Sequence, residues 1–361
     1  MPRKTRIGVV GAGTMPQRAH IPNLLAESQR CAVVALADAR VNTAQLVAER
    51  YRIPNTYPDV YALLADSDVD AVVISVPDQA HRDVAVAALD AGKHVFLEKP
   101  IATNTEDACA IVEAVRNVGT VFQIGFQRRF DPAAQTAKRL IDQWRDTGEM
   151  GALKLVRYHS VGGDWIRNAD PIVNAGDAPV VKLPAYVAPH GLTDDLRRAW
   201  PWFNNYTQHV LDLLRHYLGA PTAVITSHPV HDPVSVVTLD WAGARVVLMD
   251  GPSQPGKWEE WIEFHYDKGW LQFRTPPALA VRVTGQVEVY RAAEGRCETY
   301  DSPPEWAFRN EIGHFLRAVA GEIPPSPNAE DALAIQYLTE EIFRAAMDMS
   351  EPRRLGNQPM S

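Results

Sequence analysis

The strongest constraint on the fold is an alternation of short apolar runs with helical stretches in the first third of the chain. The runs are rich in β-branched residues and cover residues 6–10, 32–36, 71–76, 94–97 and 121–124. Helical stretches lie between them, at residues 43–51, 79–91 and 105–118. Near-continuous apolar strands suit a parallel sheet that is covered on both faces. The order predicts an α/β fold with a doubly wound parallel sheet of the Rossmann type over residues 1–125.

A second domain is predicted for residues 126–361, where the pattern changes. Strand-like runs now follow one another without helices between them, at residues 153–160, 234–240, 245–249, 258–266, 271–274 and 281–290. Two helical segments, 305–320 and 329–348, close the chain and are expected to pack back on the first domain. Such an order predicts an α+β domain with a large, mostly antiparallel open sheet. The stretch 162–200, rich in Gly, Pro, Asp and Asn, is expected to be a functional loop.

Charge and composition exclude several classes of partner. The chain carries 36 Lys and Arg against 44 Asp and Glu, a net charge of −8. That balance argues against nucleic acid, which needs clustered basic residues. No apolar run reaches the roughly 18–20 residues that span a bilayer, so no membrane partner is expected. The N-terminus lacks a signal-like apolar segment and the three cysteines (Cys31, Cys109 and Cys297) are far apart, so a cytoplasmic location is expected.

A Gly-x-Gly turn, Gly11-Ala12-Gly13, directly follows the first apolar run. The first glycine permits a tight turn, and the second lets the backbone approach a pyrophosphate at the following helix, beside Thr14 and Met15. The usual third glycine is replaced by Pro16.

Asp38 stands just beyond the second run, where a carboxylate accepts hydrogen bonds from the ribose hydroxyls of NAD. The alternative role for this aspartate is that of a helix N-terminal cap. Arg40 keeps NADP open as an alternative, because a guanidinium can pair with its 2′-phosphate.

Three stretches carry a resemblance to a known family. Residues 70–81 (DAVVISVPDQAH), 91–100 (AGKHVFLEKP) and 125–132 (GFQRRFDP) together resemble the glucose–fructose oxidoreductase/inositol dehydrogenase (Gfo/Idh/MocA) family. The resemblance implies an NAD(P)-binding first domain and a second domain for substrate binding and oligomerisation. It also implies a cis Pro100 after Glu98-Lys99, and cofactor contacts from Ser75, Pro77, His81, Glu98, Lys99 and Gln127.

Two residues are candidates for proton transfer. Lys99 would face the nicotinamide and a substrate hydroxyl, where a neighbouring positive charge and burial lower the pKa of an ammonium. His209 belongs to a segment in which Asn205 replaces the family's usual aspartate, and positions 205, 209 and 212 share one helix face. Asn205 can bond a hydroxyl but cannot carry a proton, so the proton carrier stays open between Lys99 and His209. The alternatives are a solvated lysine and a core histidine.

Aromatic and basic residues around the variable loop suggest a carbohydrate substrate. The expected substrate contacts are Lys99, Arg129, Trp165, Arg198, Asn205, Tyr206 and His209. Arg167, Trp200 and Trp202 extend this set, and the arginines suit an anionic substituent. No spacing typical of a metal site occurs in the sequence, so no metal is expected.

These features favour an NAD-dependent oxidoreductase that transfers hydride between a nicotinamide and a secondary alcohol of a sugar, cyclitol or glycoside. One alternative is redox-assisted glycoside cleavage, in which oxidation, elimination and re-reduction use the cofactor transiently. Another is a non-enzymatic, NAD-responsive regulator. The resemblance implies a homodimer or homotetramer, paired through the open face of the second sheet.

Overall fold

A computed structural model of the protein describes residues 3–166, 170–230, 234–251 and 257–348. The N-terminal part forms a six-stranded parallel sheet in the order β3-β2-β1-β4-β5-β6. Its strands are β1 (Thr5–Val10), β2 (Cys31–Ala37), β3 (Asn55–Tyr57), β4 (Ala71–Ile74), β5 (His94–Glu98) and β6 (Phe122–Gly125). The order reverses between β1 and β4, and ligands bind at such a switch point in open α/β sheets. The predicted doubly wound sheet is confirmed.

Helices cover both faces of this sheet. A π-helical turn, Pro16–His20, leads into α1 (Ile21–Ala26); the others are α2 (Val41–Tyr51), α3 (Val60–Leu64), α4 (His81–Asp90) and α5 (Thr105–Asn117). The side chain of Asn104 caps α5 by accepting a hydrogen bond from the Asp107 N–H at 2.9 Å. Strand β4, in the middle of the sheet, is buried along its whole length, which explains its continuous apolar sequence.

The second part of the chain builds an eight-stranded sheet in the order β14-β13-β12-β11-β7-β10-β9-β8. Its strands are β7 (Leu153–Gly162), β8 (Pro221–His228), β9 (Ser235–Trp241), β10 (Ala244–Asp250), β11 (Glu259–Tyr266), β12 (Gly269–Arg274), β13 (Gln286–Arg291) and β14 (Arg296–Tyr300). All neighbours are antiparallel except β7 and β10, which run parallel. The predicted mostly antiparallel sheet is confirmed.

Five further helices accompany this sheet: α6 (Pro132–Thr147), α7 (Asp194–Tyr206), α8 (Gln208–Leu218), α9 (Ala307–Val319) and α10 (Ala329–Asp348). Helix α10 packs on α5, where Glu340 Oε1 accepts a hydrogen bond from the Thr105 N–H at 2.6 Å. Helix α9 packs on the π-helical turn and α1. Among the described residues, no helix is long and apolar enough to cross a membrane.

The loop between β7 and α7 contacts the first sheet's helices through a segment that we call the strap (residues 170–181). Gln17 exchanges two hydrogen bonds with the main chain of Val173, at 2.9 and 2.8 Å. Arg50 donates to Pro171 O at 2.7 Å, and Val180 N donates to Ala39 O at 2.8 Å. The strap therefore joins the second half of the chain to the loop after β2.

Gly11 is required by the close approach of β1 and the loop after β4. Its φ is +107°, and a Cβ at this position would lie 2.2 Å from Ser75 O. We expect Gly11→Ala to lower the free energy of unfolding by at least about 2 kcal/mol, since it adds backbone strain and displaces a main-chain carbonyl. Denaturant unfolding measures the change.

Gly13→Ala is the matched control, because a Cβ there would meet no atom within 4 Å. It should change the free energy of unfolding by less than about 1 kcal/mol. Equal stability of the two variants would contradict the steric account of Gly11.

Candidate active site

One cavity of about 750 Å³ lies at the carboxyl ends of β4 and β5, and its other side is lined by residues of α7 and α8 and by residues at the ends of β7 and β10. Of the residues singled out from the sequence, it is lined by Met15, Ser75, Glu98, Lys99, Gln127, Trp165, Trp202, Asn205, Tyr206 and His209. It is also lined by residues that the sequence reasoning did not single out, among them Asp78, Arg128, Trp258 and Phe308.

Lys99 is held at the cavity by a chain of polar contacts. Its Nζ donates to Asn205 Oδ1 at 2.7 Å and to Asn205 O at 3.1 Å. Asn205 Nδ2 in turn donates to the Asp78 carboxylate at 3.2 Å. Burial lowers the pKa of Lys99, although the negative charges of Glu98 and Asp78 act in the opposite direction. The Lys99–Pro100 bond is cis, as predicted.

Glu98 is buried behind Lys99 and connects it to the glycine turn. Its Oε1 lies 2.9 Å from His20 Nε2, and its Oε2 accepts a hydrogen bond from the Lys99 N–H at 3.1 Å. Burial raises the pKa of Glu98, but His20 and the Lys99 cation outweigh burial and hold that pKa below its ordinary value. Glu98 therefore carries a negative charge between the helix that follows Gly13 and the lysine.

His209 lines the same cavity as a buried imidazole. Burial and the neighbouring cations Arg128 and Lys99 hold the pKa of His209 well below its ordinary value. Its Nδ1 has no hydrogen-bond partner among the residues that the structure describes. His209 is therefore neutral near pH 7.

The expected single helix face at positions 205, 209 and 212 is wrong. Helix α7 ends at Tyr206 and α8 begins at Gln208, with Thr207 between them. Asn205 and His209 still reach the cavity, each from its own helix. Asp212 instead accepts two hydrogen bonds from Arg129, because a buried carboxylate requires a partner.

An aromatic wall stands beside the polar groups. The rings of Trp202 and Tyr206 are stacked, with centroids 5.1 Å apart. The Tyr206 hydroxyl lies 2.6 Å from Ser160 Oγ. Arg128 is paired with the buried Glu260, which also accepts a hydrogen bond from the Tyr158 hydroxyl at 2.8 Å. This wall combines an apolar face with fixed polar groups.

The residues of the glycine turn fit a dinucleotide. Gly13 faces open space, so a pyrophosphate can approach the backbone before Thr14. Asp38 stands at the end of β2 and accepts a hydrogen bond from the Ala12 N–H at 2.6 Å. Arg40 donates three hydrogen bonds to the same carboxylate, from its backbone N–H at 2.7 Å and from Nε and one terminal nitrogen at 3.0 Å each.

Several residues predicted from the sequence do not reach the cavity. Arg129 is buried against Asp212 and Asp331, and Arg198 is 73% exposed and pairs with Asp195. Trp200 is fully buried and donates to Thr103 O at 2.8 Å. Arg167 lies outside the described residues. The arginine cluster expected to favour an anionic substrate is thus not assembled by the described residues, since nearby carboxylates take up the guanidinium groups.

Pro77 and His81 shape the loop after β4. Pro77 precedes the short turn Asp78–Ala80 that leads into α4. His81 is buried, and its two ring nitrogens lie 2.7 Å from Pro100 O and 3.0 Å from Val76 O. His81 therefore braces the cis-proline loop and does not line the cavity.

His20 and Asp78 were missed by the sequence reasoning. Asp78 belongs to the stretch 70–81 that carries the family resemblance, so its position after β4 could have identified it. His20 follows an unpredicted π-helical turn, in which the Ile21 N–H bonds to Pro16 O. Such turns are frequent at functional sites, but the apolar pattern of the sequence does not predict one here.

The family described as an oxidoreductase family with an NAD-binding Rossmann fold matches residues 5–126. The inositol 2-dehydrogenase of Salmonella typhimurium is 38% identical over 89% of this chain and 88% of its own length. Inositol 2-dehydrogenase 2 of Saccharopolyspora erythraea is 27% identical over 98% of this chain and 96% of its own.

In fold, the chain is similar to levoglucosan dehydrogenase in complex with NADH and levoglucosan, at a TM-score of 0.74 and 20% identity. The alignment covers 96% of this chain and 98% of that one.

The chain belongs to the Gfo/Idh/MocA family of oxidoreductases. The predicted family, the nicotinamide cofactor and the class of NAD(P)-dependent sugar and polyol dehydrogenases are confirmed. The roles of individual site residues, the domain boundary and the homo-oligomer stay predictions.

Asp250, at the end of β10, is a buried acid beside the cavity-lining Gly251. Thr207 Oγ1 lies 3.4 Å from its Oδ2, and Oδ1 has no hydrogen-bond partner among the described residues. Burial and the negative charge of Glu260 raise the pKa of Asp250 to about 7. Between about pH 4 and pH 7 the folded state therefore holds a proton that the unfolded chain releases, and stability falls as pH rises.

We expect the effect of Asp250→Asn on the free energy of unfolding, measured against the wild type, to be more favourable at pH 8 than at pH 5. The amide mimics the protonated acid, and the relative gain should be on the order of 1–3 kcal/mol. Denaturant unfolding at both pH values measures it. Asp267→Asn is the control, because the pKa of that exposed carboxyl is lowered and its contribution is constant between pH 5 and pH 8. The same pH dependence in both variants would contradict the role of Asp250.

Proposed function

We propose that the protein is an NAD-dependent dehydrogenase that oxidises a secondary alcohol of a cyclitol or sugar, with inositols as the first candidates. The observation that carries this proposal is the meeting of Lys99, Asn205 and neutral His209 on one cavity next to the glycine turn. The names of the inositol dehydrogenase relatives support the substrate class.

Lys99 is the proposed proton acceptor. A bound nicotinamide supplies the hydride acceptor. Because burial lowers the pKa of Lys99, the neutral amine is more accessible than for a solvated lysine, and it can take the hydroxyl proton as the alcohol becomes a carbonyl. Asn205 fixes the position of Nζ through two oxygen atoms.

His209 is proposed as a hydrogen-bonding partner of the hydroxyl rather than its base. A group whose pKa lies well below 6.5 holds a proton poorly at neutral pH. Asn205, where the family usually has an aspartate, supplies no charge that would raise the pKa of the imidazole. The stacked rings of Trp202 and Tyr206 offer an apolar face for the C–H surface of the ring substrate.

NAD is proposed over NADP because of Asp38. A carboxylate at the end of β2 binds the ribose hydroxyls and repels a 2′-phosphate. Arg40, which could have paired with that phosphate, is bonded to Asp38 instead.

The first prediction from this mechanism concerns Lys99 and His209. Lys99→Ala should lower kcat with inositol and NAD by about 100- to 10,000-fold, the usual effect of losing a general base. His209→Ala should lower kcat less than Lys99→Ala does. Absorbance of NADH at 340 nm measures turnover. The control is His216→Ala, on the same helix but outside the cavity lining. Rates like those of the wild type in both cavity variants would contradict the assignment.

The second prediction concerns the pH dependence of kcat/KM. Because Lys99 must be neutral to accept a proton, kcat/KM should rise with pH through its pKa. Asn205→Asp places a carboxylate next to Nζ and raises that pKa, so the rising limb should move to higher pH by about 1–3 units.

Asp78→Asn removes a charge that raises the pKa of Lys99, so the limb should move to lower pH. The two variants are thus expected to shift the rising limb of kcat/KM in opposite directions along the pH axis. A limb that neither variant moves would show that another group accepts the proton.

A further inference from the structure

The strap carries an acidic side chain to the start of α2. Asp177 Oδ2 accepts hydrogen bonds from the backbone N–H groups of Asn42 and Thr43, at 2.8 and 3.4 Å. Its Oδ1 accepts a hydrogen bond from Thr43 Oγ1 at 2.5 Å. The residue that precedes α2, Arg40, makes no side-chain cap of its own. A carboxylate from the second half of the chain therefore satisfies the exposed donors of this helix.

This contact adjoins the position proposed for the adenosine ribose. Val180 N donates a hydrogen bond to Ala39 O at 2.8 Å. Ala39 stands between Asp38 and Arg40 in the sequence. Hydrogen bonding to Asp38 is the largest cause of the raised pKa of Arg40, and the charge of Asp177 contributes as well. Arg40 therefore lies within electrostatic reach of two carboxylates.

The 2′-phosphate of NADP needs hydrogen-bond donors that Asp38 and Asp177 already occupy. A phosphate monoester carries about 1.5–2 negative charges at pH 7 and binds to guanidinium groups or to free N–H groups at a helix start. Here the Arg40 guanidinium is bonded to Asp38, and the first N–H groups of α2 are bonded to Asp177. A 2′-phosphate would have to displace a carboxylate while facing its charge.

We infer that Asp177 is a specificity-determining residue that, together with Asp38, excludes NADP. This inference rests on the proposed function, in which the ribose of the cofactor lies on Asp38. NAD has no 2′-phosphate and does not compete with Asp177 for these donors. Cofactor choice thus depends on the strap, a segment about 140 residues away from Asp38 in the sequence that the Gln17–Val173 hydrogen bonds hold in place.

The test measures binding of NADH and NADPH to the full-length protein and its variants. Asp177→Asn and Asp177→Ser remove the charge but keep an oxygen that can cap α2, and thermal unfolding checks that both are folded. Energy transfer from tryptophan to the bound reduced nicotinamide gives each Kd without requiring turnover. We expect the Kd for NADPH to fall at least about tenfold in both variants, and the Kd for NADH to stay within about threefold of the wild type.

The matched control is Asp170→Asn, which removes the same charge from the same segment. Asp170 contributes its main-chain oxygen to the contact with Arg18, at 3.0 Å, and this atom is kept. The control should leave the ratio of the two Kd values unchanged.

Two results would overturn the inference. One is an unchanged Kd for NADPH in the Asp177 variants, and the other is an equal loss of affinity for both nucleotides, which would show that Asp177 is only a helix cap. Failure of the proposed function gives a different result, because the wild type would then bind neither nucleotide or would bind NADH and turn over no cyclitol or sugar.

Discussion

The buried carboxylate of Glu98 is the interaction on which the site depends. An uncompensated charge in the interior costs several kcal/mol, so the donors around Glu98 must stay in place. One is His20, at the end of the turn that follows the glycine loop, and the other is the backbone N–H of Lys99. A single anion thus ties the proposed cofactor loop to the proposed proton acceptor.

The balance of charge in the cavity explains the states of its two basic groups. The cations of Arg128 and Lys99 both lie close enough to His209 to disfavour protonation of its imidazole. At Lys99, the negative charges of Glu98 and Asp78 partly offset burial and the charge of Arg128, which lower its pKa. Asn205 connects Lys99 to Asp78 by hydrogen bonds but carries no charge of its own. An aspartate at position 205 would add a negative charge next to Nζ, so the asparagine helps to keep the pKa of Lys99 low. The chemistry of the site is therefore set by the neutral amide as much as by the ionisable groups.

The elements that could be predicted from the sequence are those whose structure follows from a local residue pattern. Buried strands such as β4 and β5 are apolar throughout, and the cap of α5 follows from Asn104 and the acidic first turn. Strands with exposed residues, such as β3, leave little pattern and were missed.

Arg129 and Arg198 were assigned to the substrate by their proximity in sequence to the motifs. For Arg129 this failed because its partner Asp212 lies 83 residues away in the sequence. Asp195, only three residues from Arg198, was a visible partner. Tertiary partners of charged residues cannot be inferred from one sequence, whereas helical neighbours can.

The division between α7 and α8 at Thr207 places the two proposed functional residues at helix ends of opposite polarity. Asn205 lies in the last turn of α7, where carbonyl groups point outward and favour a cation, and its carbonyl accepts a hydrogen bond from Lys99 Nζ. His209 lies in the first turn of α8, where N–H groups disfavour a cation. The last turn of α7 thus partly opposes the lowering of the Lys99 pKa by burial, whereas the first turn of α8 adds to the effect of burial on His209.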